Sequence, residues 1–466
     1  MIFNSNTFVL FFAVVTLLYW MVRRNQSHRD WLILISSFIF YGSWDWRFLG
    51  LLVLTGGIDF YCAIKISDQT NPVIRKRWLM LSIVSNMGTL GFFKYASFFI
   101  DSAWHALEQI GLPASKPLLQ IVLPAGISFY TFQALSYTLD VYRKQISEER
   151  NLCKYFAFLT FFPQLVAGPI ERASFLLPQF RETRVISETL LFRGIWFILW
   201  GFFLKIVVAD YFAPLVDLAF SANNSGGIVI PFSALAFAGQ IYGDFAGYSM
   251  IARGLANTMG FELSTNFSQP YLAVNIQEFW RRWHQTLSTW FRDYLYIPLG
   301  GDRLGGSRTF FNVVLTFLLA GLWHGANWTF VLWGLCHGVA LGVYRFWRMS
   351  SWSKIVVLPR GISWLMTMSV VGIGWLFFRA TSLSHAWNMI QSSWQAPAPA
   401  WTSSYMLAVT FGLMLVAIYD WIHSRISWER ASAWPWVARV TIQGILLALI
   451  VARWGKEPPS FIYFQF

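Results

Sequence analysis

The stretch Phe8-Val9-Leu10-Phe11-Phe12-Ala13-Val14-Val15-Thr16-Leu17-Leu18-Tyr19-Trp20-Met21-Val22, followed at once by Arg23-Arg24, decides the class of this chain. A secretory signal would carry its basic residues before the apolar run and a small-residue cleavage site after it. Here the basic pair follows the run and no such site comes next, so the expectation is an uncleaved first membrane span. Comparable apolar runs recur to the end of the chain, near the ~20 residues a helix needs to cross hydrocarbon.

Composition agrees. Only 12% of the 466 residues are charged and 56% are hydrophobic, against about 25% charged in a typical soluble domain. Too little polar surface remains to cover a soluble body. The formal net charge of +13 would suggest nucleic acid in a soluble protein. Here the cations sit in short loops between apolar runs, and no RNA-binding motif or basic arm accompanies them, so no nucleic-acid partner is expected. Attraction to anionic lipid headgroups is the expected consequence. Cys62, Cys153 and Cys336 lie far apart without metal or redox spacing, and no metal site is expected.

Candidate spans are 3–22, 31–44, 47–65, 78–99, 121–142, 190–210, 229–252, 309–323, 328–347, 361–379, 404–424 and 435–454. With the N-terminus outside, Arg23-Arg24-Arg29, Lys65 with Arg75-Lys76-Arg77, Arg143-Lys144-Arg150, the arginines from Arg281 to Arg308, the loop cations Arg345-Arg348-Lys354-Arg360, and Arg425 with Arg430 all fall inside. That asymmetry sets the orientation, with both termini outside. Residues 1–466 read as one membrane-embedded domain, with Ala396-Pro397-Ala398-Pro399 as a short external turn.

Two stretches break the pattern. Phe161-Phe162-Pro163-Gln164-Leu165-Val166-Ala167-Gly168-Pro169-Ile170 is apolar, yet its prolines and glycine interrupt helical bonding. Such backbone is tolerated at membrane depth only where protein or a water-filled cavity satisfies it, so a re-entrant segment lining a cavity is expected. Residues 277–298, read as one helix, place Phe279, Trp283, Leu287, Trp290 and Tyr294 on one face. Arg281, His284, Gln285, Ser288 and Arg292 fall on the other, which predicts an amphipathic helix in the interface or plugging a cytoplasmic opening.

Ionisable residues at membrane depth are functional candidates by default. His324 lies in Gly321-Leu322-Trp323-His324-Gly325-Ala326-Asn327-Trp328, between two apolar runs. It reads either as a functional imidazole or as a buried histidine bonded to a carbonyl. His337, in Trp333-Gly334-Leu335-Cys336-His337-Gly338, suits packing as well as function. His284, with Arg281 and Arg292, suits phosphates or lipid headgroups alike. Lys205 and Asp210, five apart, suit simple pairing, and Asp244 in a Gly-rich stretch is expected to line the same cavity. The run Gly300-Gly301-Asp302-Arg303-Leu304-Gly305-Gly306 lacks a phosphate-loop ending and reads as a turn.

At these residues the chain resembles the membrane-bound O-acyltransferase family, in its bacterial alginate and peptidoglycan O-acetyltransferase branch. The matching stretches run from Glu278-Phe279-Trp280-Arg281-Arg282-Trp283-His284 to Gly301, and include the two histidine motifs above. Phe162-Pro163-Gln164-Leu165-Val166-Ala167-Gly168-Pro169-Ile170, Leu123-Pro124-Ala125-Gly126-Ile127-Ser128-Phe129-Tyr130 and the 461–466 ending also match. The resemblance implies an all-α polytopic bundle of about 11–12 transmembrane helices, with re-entrant and amphipathic segments around a central tunnel. It implies that His324 is the catalytic histidine, with His284 the second polar position of the reaction centre.

It further implies an acyl donor reached from the cytoplasm and an acceptor reached from outside. A separate periplasmic esterase-like protein would receive the acetyl group and place it on a sugar hydroxyl. The expected reaction is O-acetylation of an extracytoplasmic polysaccharide, alginate-like or peptidoglycan, from acetyl-CoA as donor substrate, in the bacterial inner membrane. No bound cofactor is expected. Arg281, Arg282 and Arg292 are expected to hold the CoA phosphates, and Asn327, Trp323, His337 and Asp244 to line the tunnel. A neutral imidazole within reach of a hydroxyl takes its proton as the thioester is attacked. D-alanyl transfer to teichoic acid and a glycan or lipid transporter without chemistry stand as alternatives.

Overall fold

The computed structural model describes residues 1–112, 121–221, 228–351, 358–395, 399–455 and 462. Residues 396–398 of the expected external turn, and the 461–466 motif apart from Ile462, lie outside them. The described residues are helical, without a strand. In chain order the helices are α1 (Asn6–Val22), α2 (Gln26–Gly42), α3 (Trp46–Asp68), α4 (Pro72–Leu90), α5 (Ala96–Gln109), α6 (Ile127–Tyr142), α7 (Leu152–Leu159), α8 (Ala173–Arg181), α9 (Glu188–Phe202), α10 (Asp210–Ser221), α11 (Val229–Thr258), α12 (Ile276–Arg282), α13 (Gln285–Phe291), α14 (Gly306–His324), α15 (Trp328–Met349), α16 (Arg360–Arg379), α17 (Leu383–Gln395), α18 (Thr402–Arg425), α19 (Trp428–Ser432) and α20 (Trp436–Arg453).

Local signals explain where many of them begin. Ser5, Asn25, Asp45, Asn71 and Asn151 each stand before a helix and accept a backbone N–H of its first turn, which satisfies a donor the helix itself leaves open. Among the described residues, seven helical runs are long and apolar enough to cross a membrane: Trp46–Asp68, Glu188–Ser221, Gly306–His324, Trp328–Met349, Arg360–Arg379, Thr402–Arg425 and Trp436–Arg453. The shorter Asn6–Val22 is apolar as well. Their outward faces carry Leu10, Leu17, Phe346, Leu365 and Leu407, all exposed. Water would not tolerate such continuous apolar surface, whereas lipid tails do. The chain is a multi-pass membrane protein.

The helices pack as two compact units. The first comprises Met1–Gly194 with Ala252–Ser264. Its buried charges are matched by protein. Asp59 on α3 accepts from Ser82 Oγ at 2.5 Å and from Asn86 Nδ2 at 2.9 and 2.8 Å. Arg29 on α2 donates to Asp30 Oδ1 and to the carbonyls of Phe180 and Glu182, both at 2.6 Å, closing the C-terminal end of α8. Residues 161–170 are irregular, as expected, and all are buried. Protein supplies partners for the broken backbone: the Phe162 N–H donates to Ser37 Oγ at 3.1 Å, and Gln133 Nε2 donates to the Phe158 carbonyl at 3.1 Å. A side chain at Gly168 would meet Gln164 Cα at 2.4 Å, so only glycine permits this turn.

The second unit comprises Ile195–Ile251 with Thr265–Phe466. Its helices approach backbone to backbone along stripes of small residues. Gly334, Gly338 and Gly342 recur every fourth position on α15 and face α14; a Cβ at Gly334 would lie 2.2 Å from the Phe317 carbonyl oxygen. From the other side, a Cβ at Gly321 on α14 would lie 2.2 Å from the Phe330 carbonyl oxygen. Small residues at this spacing let membrane helices approach until van der Waals contact holds them. Between α9 and α10 the chain makes a π-helical turn, Phe203–Ala209. Lys205 in that turn reaches Asp210 Oδ1 at 2.9 Å and Asp244 Oδ1 at 2.8 Å.

The expected single amphipathic helix over 277–298 is not formed. It breaks at Trp283 and His284 into α12 and α13, followed by a π-helical turn, Arg292–Tyr296. His284 adopts φ +41°, the left-handed region. A non-glycine residue there costs roughly 1–2 kcal/mol. Asn266 supplies the compensation: its carbonyl accepts the Gln285 N–H at 2.9 Å, and its Oδ1 accepts from Thr286 Oγ1 at 3.0 Å. The break also turns His284 off the expected polar face and buries it completely. Phe279, Trp283, Leu287 and Trp290 are buried as the periodicity implies. The Gly300–Gly306 region is a turn; Asn312 Nδ2 ties it down by donating to the carbonyls of Leu299 and Gly301 at 3.2 and 3.0 Å.

The close approach of α14 and α15 is open to test. Gly334→Val is expected to lower the thermal midpoint in detergent, since overpacking of this kind costs on the order of 1–3 kcal/mol. Gly372→Ala, where a Cβ meets nothing within 4 Å, is expected to leave the midpoint where it was. Equal midpoints for both variants would refute the stripe as the contact that holds this pair.

Candidate active site

One cavity of about 480 Å³ lies within the second unit, inside the ~300–1,000 Å³ range of small-molecule sites. Helix periodicity builds its walls. Val313, Thr316, Phe317, Ala320 and His324 recur at three- and four-residue spacing and form one face of α14. Trp333, Leu341 and Arg345 of α15 face it, Gln277, Trp280 and Arg281 of α12 and Gln285, Leu287 and Ser288 of α13 add to the lining, and Arg292 and Tyr296 of the π-helical turn join them.

His324 is the last residue of α14 and is 4% exposed. Aromatic rings surround it: Trp333 at 4.8 Å edge-on, Trp323 at 5.0 Å and Phe378 at 5.2 Å, between centroids. Such a wall keeps bulk water from the imidazole while the cavity leaves it reachable.

The same cavity carries cations. Arg281 and Arg292 line it and are exposed. Arg281 makes no hydrogen bond or ion pair among the described residues. Arg292 pairs with Asp293 at 2.6 Å, and this hydrogen bond holds its proton more tightly than usual. Arg345 was counted from the sequence only as a loop cation. It lines the cavity too, donating to the Tyr296 hydroxyl at 2.7 Å with its guanidinium 5.2 Å over that ring. Arg345 lies one helical turn beyond Leu341, which also lines the cavity. Arg282 does not join them. It pairs with Glu278 at 2.7 Å, one helical turn back, and lies outside the cavity lining.

His284 is fully buried beside this site. Its Nδ1 lies 3.0 Å from Asn266 Oδ1, and its ring meets Phe245 edge-on at 4.6 Å. The Trp323 indole adjoins both imidazoles, 6.0 Å from His284 and 5.0 Å from His324. Thus Trp323 stands beside both histidines and is not itself among the cavity-lining residues. Asn266 escaped the sequence reading, because nothing local marks a residue whose partners lie about twenty positions on.

Three residues expected along a tunnel have other places. Asn327 caps α15: its Oδ1 accepts the Thr329 N–H and its Nδ2 donates to the Thr381 carbonyl, both at 3.0 Å. Both ends of the amide thus serve the start of α15 and the Thr381 carbonyl. Asp244 is held by Lys205 and by the Ile462 N–H at 2.7 Å. His337 is fully buried among Phe279, Trp280, Phe317 and Trp333, behind the cavity wall.

Comparison with known proteins agrees with this architecture. The chain is 40% identical over 393 residues to a probable alginate O-acetylase of Azotobacter vinelandii, covering 84% of this chain and 77% of that protein. It is 34% identical to a peptidoglycan O-acetyltransferase of Helicobacter pylori, covering 84% and 79%. A teichoic acid D-alanyltransferase of Streptococcus thermophilus matches at 32% over 48% of this chain and 57% of its own length. The model of the membrane-bound O-acyltransferase family matches residues 73–378, which include α12 to α15 with both histidines. The chain belongs to the membrane-bound O-acyltransferase family and is an O-acyltransferase.

Proposed function

We propose that this protein transfers an acetyl group from cytoplasmic acetyl-CoA, across the bacterial inner membrane, for O-acetylation of an extracytoplasmic polysaccharide of the alginate or peptidoglycan kind. The observation that carries this reading is the single cavity that joins exposed Arg281 and Arg292, with Arg345, to the buried imidazole of His324. The two relatives that cover most of the chain both carry O-acetyl transfer in their names. The excess of Arg and Lys in one set of loops supports a cytoplasmic face for the basic end, with both termini periplasmic.

In this mechanism the guanidinium groups hold the phosphates of CoA, for which planar, permanently charged donors are suited. The thioester extends along the apolar wall of Phe317, Ala320 and Trp333 toward His324. The imidazole takes the proton of the incoming hydroxyl as its oxygen attacks the thioester carbon. The tetrahedral intermediate collapses with cleavage of the C–S bond, and the CoA thiolate leaves and recovers a proton. The rings around His324 limit hydrolysis by keeping water scarce. The attacking hydroxyl is that of a periplasmic esterase-like partner, so the first product is the partner's acetyl ester; a sugar hydroxyl then attacks that ester, takes the acetyl group and frees the partner's own hydroxyl. D-alanyl transfer from an acylated carrier protein is the second reading, favoured only by the partial match to teichoic acid D-alanyltransferases.

Two experiments test this. His324→Ala, compared with the native protein at matched membrane levels, is expected to reduce glycan O-acetylation and release of free CoA from acetyl-CoA by about 10²–10⁴-fold, the usual contribution of a general base. Retained turnover would exclude His324 as the base. Separately, Arg345→Gln is expected to raise the KM for acetyl-CoA about tenfold, and the exposed Arg281→Gln and Arg292→Gln less, with kcat little changed. Arg282→Gln is expected to leave KM unchanged; equal effects of all four would place the donor elsewhere.

A further inference from the structure

The left-handed turn at His284 brings its ring against one amide, and the geometry of that amide decides where the ring keeps its proton. Asn266 is 1% exposed and His284 wholly buried, so solvent does not compete. The orientation of the Asn266 side chain is set by its neighbours. Its Oδ1 faces the Thr286 backbone N–H at 3.4 Å and the Thr286 hydroxyl at 3.0 Å, while its Nδ2 donates to Ser249 Oγ at 3.1 Å. A backbone N–H can only donate, so the atom turned toward Thr286 is the carbonyl oxygen; the flipped amide would set donor against donor. That same oxygen lies 3.0 Å from His284 Nδ1. Two acceptors do not bond, so Nδ1 carries the hydrogen.

We propose that Asn266 is a positioning residue that fixes the neutral His284 imidazole as its Nδ1–H tautomer and makes Nε2 the ring's hydrogen-bond acceptor. The inference rests on the acyl-transfer reading and assigns the chemical role of the second histidine within it. A ring that presents a lone pair at Nε2 receives a hydrogen bond from a hydroxyl. It does not donate one to an oxyanion. Within the acyl-transfer reading His284 is thus a hydrogen-bond acceptor and not an oxyanion donor, and another group stabilises the tetrahedral oxygen. Phe245, Phe267 and Trp323 face the ring, besides Asn266, and His324 is a titratable group on the Trp323 side.

The test uses the full chain in native membranes with acetyl-CoA as the probe, read by free CoA release. Asn266→Ala is expected to lower kcat about 10–100-fold with the KM for acetyl-CoA unchanged. Asn266→Asp keeps an acceptor for Nδ1–H and is expected to recover turnover to within a few-fold. Its carboxylate also stabilises the imidazolium, so a higher pH is needed to keep the ring neutral and the acid limb of the pH–rate profile moves up. Asn266→Ala with native kcat, or Asn266→Asp as impaired as Asn266→Ala with an unmoved acid limb, overturns the proposal. ¹⁵N NMR of histidine-labelled protein in detergent reads the tautomer without turnover. Protonated Nδ1 in the native protein and a mixture in Asn266→Ala support the assignment; protonated Nε2 in the native protein overturns it. His284→Ala with full turnover would instead remove His284 from the chemistry, a failure of the functional reading that the NMR result does not share.

Discussion

A peptide group that leaves helical geometry inside hydrocarbon finds no water to bond, and the cost is several kcal/mol unless protein takes water's place. Two buried irregular stretches of this chain obey that constraint. In the first unit, residues 161–170 turn without a helix because Ser37 receives an N–H there and glutamine side chains reach the neighbouring Phe158 carbonyl. In the second, the helix that would run through 277–298 stops at His284 because Asn266 offers its neighbours better partners than the helix does. Buried charges follow the same rule: Arg29, Asp59 and Lys205 each sit among matched groups.

The architecture of the site follows from how closely the helices approach. Glycines at every fourth position let α15 press its backbone against α14. With the two helices held at that distance, the faces that carry His324 and Arg345 become walls of one cavity, not scattered surface positions. Rigid walls matter for transfer chemistry, since a reacting group displaced by about 1 Å can cost on the order of 10²-fold in rate. The aromatic rings serve the same end. Trp323 and Trp333 fix the imidazole of His324 edge-on, and Trp323 also touches His284, so the two imidazoles share a common support.

Much of this was legible in the sequence. Apolar length marked the spans, and the prolines and glycine of 161–170 marked a segment that would not be helical. The motif around His324 marked the residue that the structure sets in the cavity beside Arg281 and Arg292. What failed to show depended on distant partners. Periodicity describes a helix from its own residues, so 277–298 read as one helix; the break comes from Asn266, eighteen positions before His284. Asn327 reads as a tunnel residue from its place in the His324 motif; standing just before α15, it serves as the cap of that helix. Arg282 and Arg281 look alike in sequence, yet one helical turn gives Arg282 a carboxylate and leaves Arg281 at the cavity. Asp244 was read as a cavity residue because a buried carboxylate in a Gly-rich helix invites that reading; Lys205, brought near by a π-helical turn, gives it a structural task instead.

The central claim is that donor recognition and proton transfer share one cavity of the second unit. The most direct measurement is an experimental structure of the full protein in lipid with acetyl-CoA bound. The account predicts CoA phosphates within hydrogen-bond distance of Arg281, Arg292 and Arg345, with the thioester carbon close to the His324 ring. CoA bound on another face, or a thioester separated from that imidazole by the closed aromatic wall, would contradict it.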